Sequence, residues 1–268
     1  MMITSRMIFC LLSRKFTVYG REQAHKSVRV RQIRLYRGQT TEPGCLYLLD
    51  ELTDLNMIGQ PDGCGFVFLA GAPYKLPESF READAVFVTD SVSKLDLYDA
   101  LCDQLYLLME WEAALKDALF QGEMPAKLME LGCSFLSVPV ALYDGEQQIL
   151  CGVDGERPDG DAYDLFLDMG YRMHSGSEEV YMYDPRNSGE GTAACKNILL
   201  DGQVVAVFLA FYEHAEACKK ELALFSCLAG YVSSAYLGSM ASGQNRRGND
   251  EQHRLLSRML YQEKYGIT

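Results

Sequence analysis

Four histidines, His25, His174, His214 and His253, are the neutral-pH bases available to this chain. A serine hydrolase would need one of them beside a G-x-S-x-G nucleophile elbow, and the sequence has none. His174 is the best placed as a general base, because it follows a predicted helix and precedes a predicted strand; the plainer reading is a solvated loop histidine. His214-x-x-x-Cys218 would put two metal ligands on one helix face, but two ligands do not make a site. Nucleotide chemistry lacks a phosphate loop: Gly63-Cys64-Gly65 precedes its apolar strand and reads as a turn. The acid pairs Glu178-Glu179, Asp159 with Asp161, and Asp164 with Asp168 are expected by chance at this acidity. At i, i+4 the last pair repels if both are ionised, which suits a solvated helix face better than an acid–base dyad.

Cysteine chemistry is the more serious enzymatic reading. The nine cysteines are odd in number, scattered through apolar segments and free of any C-x-x-C pair, the pattern of buried thiols in a reducing compartment. Cys133, Cys151 and Cys195 fall in one stretch of the chain. A nucleophilic thiol needs a cation or a helix N-terminus to hold its thiolate. Lys196 adjoins Cys195, but neighbouring strand residues point to opposite faces, so the lysine does not serve it. The sequence therefore predicts no enzyme and no cofactor.

The elements that must position any site follow from composition and pattern. Of the 268 residues 48% are hydrophobic and 23% charged, enough for a core of one large or two ordinary domains. No apolar run reaches the roughly 20 residues of a membrane helix. Met7–Leu12 is too short for a signal-peptide core, and Ser13-Arg14-Lys15 follows it in place of a cleavage site. The net charge of −12 is unevenly spread. Up to Arg37 nine basic side chains face Glu22 alone, a balance of +8; from Ala241 five face three, +2; the middle therefore carries −22. So acidic a body repels a phosphate backbone. In the basic start, Val28, Val30, Ile33 and Leu35 interleave the charges, which suits an edge strand with a charged outer face better than a phosphate-binding arm.

Residues 1–122 read as an α/β lobe. Met7–Ser13 is a helix candidate and Phe16–Tyr19 a short strand. The continuous runs Cys45–Leu49, Phe66–Ala70 and Ala85–Thr89 predict a small, mostly parallel sheet covered on both faces, with 50–63 and 71–84 as its crossovers. Lys94–Phe120 has no Pro or Gly and predicts one long connecting helix. Tyr98, Leu101, Leu105, Leu108, Glu112, Leu115 and Leu119 form a heptad seam on it, suited to a core helix or a dimer helix.

Residues 123–240 read as an α+β lobe with an antiparallel sheet. A short helix (Pro125–Leu131) precedes a strand at Phe135–Tyr143, and Asp144-Gly145 turns it back into Gln147–Cys151. Tyr163–Tyr171 is helical and Glu179–Tyr183 a strand, with a loop from Asp184 to Gly191. Thr192–Leu200 and Val204–Tyr212 join at a second Asp-Gly turn, Asp201-Gly202. Ala217–Leu237 closes the lobe as a helix. Residues 241–268 read as a flexible linker over 241–250 and the start of an amphipathic C-terminal helix from Glu251.

This order resembles the regulatory half of PucR-like bacterial transcription regulators. The resemblance lies in Arg34-Leu35-Tyr36, Gly44–Leu48, Gly65–Leu69, the helix around Leu105–Leu115 and Ser137–Asp144, the last similar to the first strand of a GAF-like lobe. It implies a cytoplasmic sensor module that binds a small-molecule effector or a partner and passes the signal through dimer helices. DNA contact is expected from a C-terminal helix-turn-helix domain; no second helix with a glycine turn follows Leu255–Leu260 in this sequence. In a GAF-like lobe the cavity lies between the sheet and its cover. Tyr163, Phe166 and Tyr171, with Tyr181, Tyr183 and Cys195, are the expected lining, and Arg172, His174 and Arg186 its polar groups. The competing expectations are a thiol-dependent reductase of the methionine sulfoxide type and a scaffold that binds no ligand.

Overall fold

Three continuous apolar runs form the middle of a five-stranded sheet in a computed structural model of the chain. The model describes residues 3–20, 27–50, 53, 55, 58, 63–80, 83–136, 138–145, 149–153, 179–183 and 190–265. Helix α1 (Ser5–Leu12) leads to strands β1 (Val18–Gly20), β2 (Gln32–Leu35), β3 (Cys45–Asp50), β4 (Gly65–Leu69) and β5 (Asp84–Val88). Their order across the sheet is β1-β5-β4-β3-β2; β2, β3, β4 and β5 run parallel, and β1 is antiparallel to β5. This is the mostly parallel sheet that the continuous runs predict. The basic segment supplies the edge strand β2, where Ile33 is buried and Gln32 exposed. Where 71–84 was expected to cross over, a single 3-10 turn (Glu78–Phe80) is regular among the described residues. The greater part of the other crossover, 50–63, lies outside the described residues.

One face of this sheet is aromatic. Tyr36, Tyr47, Phe66, Phe68, Phe80 and Phe87 are buried together, with Phe66 edge-on to Phe80 at 5.1 Å and Phe68 stacked on Phe87 at 5.2 Å. Such contacts add to the burial of large apolar area that holds the layer together. Helix α1 is buried along nearly its whole length. At its start the Ser5 hydroxyl donates to the Asp84 carboxylate and accepts from the Val28 N–H at 3.0 Å. Burial pushes the Asp84 carboxyl upward, against the lowering effect of the hydrogen bonds it accepts from the Ser5 hydroxyl and the Val28 N–H.

The long helix α2 spans Lys94–Phe120, as its lack of Pro and Gly predicts; the Ser93 hydroxyl accepts from the Asp96 N–H at its start. Its buried side overlaps the predicted seam: Leu101, Leu108, Glu112 and Leu115 are buried as expected, Leu97, Gln104, Trp111 and Ala118 are buried beside them, and Tyr98, Leu105 and Leu119 are only partly so. Apolar residues surround this helix, so periodicity alone cannot choose between seams one residue apart.

After helix α3 (Pro125–Cys133) come β6 (Val140–Asp144), β7 (Ile149–Val153), β8 (Val180–Tyr183), β9 (Glu190–Leu200), β10 (Gln203–His214) and helix α4 (Ala215–Tyr265). The strands form an antiparallel sheet ordered β7-β6-β10-β9-β8. Strands β6 and β7 pair on either side of Asp144-Gly145, and the second Asp-Gly turn forms. Asp201 (φ 51°) and Gly202 (φ 78°) both take the left-handed conformation that a two-residue type I′ hairpin requires. Strand β6 starts at Val140 where Phe135 was expected. The N–H groups of Phe135 and Leu136 bond back to the Gly132 carbonyl, and Pro139 has no N–H to give a ladder. The predicted helix at Tyr163–Tyr171 lies outside the described residues.

The linker expected at 241–250 is instead helical, and α4 runs unbroken to Tyr265. This stretch contains no Pro, and its glycines, Gly243 and Gly248, each cost about 1 kcal/mol, too little to stop a helix already nucleated upstream. Among the described residues one segment, Ala215–Ala241, is long and apolar enough by length and composition to cross a membrane. It carries Lys219, Lys220 and the buried Glu221, and Glu221 pairs with Arg14 at 2.7 Å. That is how a core helix is built.

The described residues fall into two compact units. One lies within Met1–Ala114, Arg186–Thr192 and Tyr212–Cys227; the other lies within Leu115–Pro185, Ala193–Phe211 and Leu228–Thr268. The chain is thus a mixed α/β protein with one mostly parallel and one antiparallel sheet.

Candidate ligand-binding face of the second unit

Alternation along four strands of the antiparallel sheet gathers one set of side chains on one face. Ala141 and Tyr143 of β6, Ala193 and Cys195 of β9, and Val207 and Leu209 of β10 are buried together; Tyr181, Tyr183, Val204 and Phe211 pack against them partly exposed. The register fixes the rows. Leu209 lies beside Ala141 and Ala141 beside Gly152; Val207 lies beside Tyr143; Tyr181 lies beside Cys195 and Tyr183 beside Ala193. Ala193 and Cys195 therefore stand beside Tyr183 and Tyr181, and Ala141 between Leu209 and Gly152. The Tyr181 hydroxyl donates to the Asn197 side-chain carbonyl at 3.1 Å, and Asn197 is buried. An aromatic-rimmed apolar face with few polar groups is the composition of small-molecule sites.

Of the residues predicted to line a site, Tyr181, Tyr183 and Cys195 meet on this face. Tyr163, Phe166, Tyr171, Arg172, His174 and Arg186 lie outside the described residues. Ala141, Tyr143, Ala193, Asn197 and Phe211 were missed. Each sits at an alternate position of a predicted strand, so the period-two pattern was the available signal.

The opposite face of the sheet carries the helices. Leu142 pairs with Cys151, and the Cys151 thiol touches Met129 of α3 at 3.6 Å. Helices α3 and α4 meet at Gly132, where an added Cβ would lie 2.1 Å from the Leu228 Cδ2.

This geometry separates Cys195 from Cys151. Cys195 lies on the tyrosine face and Cys151 on the helix face, so the sheet stands between them. A disulfide needs Cβ atoms about 4 Å apart. Burial pushes the Cys133 and Cys151 thiols up, with no cation contributing to either. Raised thiols stay protonated and are poor nucleophiles. All nine cysteines are free. His214 ends β10 exposed while Cys218 is buried in α4, so this pair does not share one environment. Among the described residues no three His, Cys, Asp or Glu side chains cluster as metal ligands.

No protein-family model matches the sequence, and no curated protein is significantly similar to it.

Proposed function

We propose that this chain is a cytoplasmic signal-receiving module of a PucR-like transcription regulator. In this reading a small-molecule effector binds the tyrosine face of the second unit, the module acts as a homodimer, and DNA is contacted through a helix-turn-helix domain. The observation that carries the reading is the juxtaposition of Ala141, Gly152, Ala193 and Cys195 with Tyr143, Tyr181, Tyr183 and Phe211 on one face. Small side chains alternate there with tyrosines, which supply flat apolar area with a polar tip. The strands of the mostly parallel sheet, the long helix and the strands of the antiparallel sheet follow one another along the chain, the order on which the resemblance rests. A ligand that favours one of two conformations biases whatever domain is attached.

The test is a thermal-shift screen of the purified chain against a metabolite panel. A compound at 100 times its Kd adds about 2.7 kcal/mol to the folded state, a rise of several degrees in Tm. Tyr181→Ala and Tyr183→Ala, at partly exposed positions, keep the fold and remove the shift. A panel without any stabilising compound, or a shift that survives both substitutions, contradicts the proposal.

A further inference from the structure

Helix α2 carries a second heptad seam on its outer side. Leu95, Asp99, Cys102, Tyr106, Met109, Ala113, Lys116 and Phe120 recur at alternating steps of four and three, two residues out of phase with the buried seam. None of these residues is buried: Leu95 is 62% exposed, Tyr106 61%, Met109 54% and Phe120 89%. An exposed apolar seam of heptad period is the surface that another helix packs on.

The spacing of this seam singles out its partner. It is symmetric about a point between Leu107 and Leu108. An antiparallel second copy of α2 would set Leu95 against Phe120, Asp99 against Lys116, Cys102 against Ala113 and Tyr106 against Met109, each pair occurring twice. Such pairing is isologous, as a two-fold dimer requires. It is also complementary in charge, because both polar positions of the seam meet an opposite charge. A parallel pairing would instead oppose Asp99 to Asp99 and Lys116 to Lys116, which is unfavourable at a helix contact. The flanking acids Asp103, Glu110 and Asp117 sit at the edge of the seam, where water and salt screen them.

We infer that the outer seam of α2 is the interface of an antiparallel homodimer, with reciprocal Asp99–Lys116 pairs setting its direction. From Leu95 to Phe120 the seam is about 38 Å long, and a helix face is about 10 Å wide. Roughly 400 Å² in projection on each copy places the contact among transient, concentration-dependent interfaces. This inference specifies the homodimer of the regulatory reading and rests on that part of it. Mass reports the dimer and Tm reports the ligand, so failure of one is distinguishable from failure of the other.

Sedimentation velocity of the full chain across the micromolar range tests it. The wild type is expected to pass from monomer to dimer. Asp99→Lys places like charges at both reciprocal contacts and weakens the dimer by about tenfold. Adding Lys116→Asp to it restores the wild-type Kd. A second measurement fixes direction without disturbing charge. On mild oxidation Ala113→Cys becomes a covalent dimer through Cys102 of the other copy, and Cys102→Ser in that background abolishes the link. The wild type, whose two Cys102 side chains lie about eleven residues apart in register, forms no such link. A chain that stays monomeric, a dimer indifferent to Asp99→Lys, or Cys102–Cys102 cross-linking in the wild type overturns the inference.

Discussion

Gly132→Ala should loosen the helix layer behind the tyrosine face. A Cβ at position 132 would lie 2.1 Å from the Leu228 Cδ2, 2.5 Å from its Cδ1 and 2.8 Å from its Cγ. Leu228 is fully buried, so its branched end has nowhere to turn. Relief therefore requires α3 and α4 to move apart by about an ångström, and overpacking of this kind costs about 3 kcal/mol at the upper end of its range. Alanine in place of glycine recovers about 1 kcal/mol of helix propensity, leaving a net loss of about 2 kcal/mol. Leu228→Ala alone opens a cavity and costs about 2–5 kcal/mol. In the double variant the new methyl occupies part of that space, so the two losses should combine to less than their sum by 1 kcal/mol or more. Urea unfolding of the four proteins, followed by far-UV circular dichroism, measures each value from the shift in midpoint. Gly132→Ala as stable as the wild type, or strict additivity with Leu228→Ala, would refute the close approach of α3 to α4.

Two further predictions concern the buried polar groups. The Asp84 carboxyl is held above its ordinary value of 3.8 chiefly by burial, so the folded state binds the proton more tightly than the unfolded chain. The stability this adds is fully present below 3.8 and is lost as the pH rises through the folded value. Asp84→Asn keeps an acceptor for Ser5 and should flatten that decline, which urea midpoints at stepped acid pH will show; a parallel decline in both proteins contradicts it. Burial also pushes the Cys10 and Cys218 thiols up to about 12. At pH 8 a thiol reagent should therefore label the partly buried Cys102, Cys133 and Cys151 first and the other six only after denaturation, as peptide mapping by mass spectrometry can determine.

Much of the fold could be read from the chain because its local signals agree with one another. Uninterrupted runs such as Cys45–Leu49 bury both faces of a strand, and Asp201-Gly202 supplies two left-handed residues between two strands. The Ser93 cap and the left-handed Gly122 bound α2. Its buried side was less legible: Leu97 and Tyr98, or Gln104 and Leu105, are equivalent neighbours until the rest of the structure chooses between them. Composition misled at 241–250, where Gly, Ser and Asn read as flexible although no residue there forbids a helix. At the candidate site, Tyr181, Tyr183 and Cys195 were visible as alternate residues of strands. Ala141, Gly152, Ala193 and Asn197 were not, because small side chains carry no signal of their own. Register sets Ala141 between Leu209 and Gly152 and puts Ala193 beside Tyr183.

The most direct test of ligand reception by the tyrosine face is a nuclear magnetic resonance titration of the chain labelled at alanine methyls and tyrosine rings. With a compound that raises Tm, the resonances of Ala141, Ala193, Tyr143, Tyr181 and Tyr183 should move, while Tyr36 and Tyr47 in the aromatic layer of the first unit stay in place. Shifts centred on Tyr36 and Tyr47, with the second unit unmoved, would contradict the account.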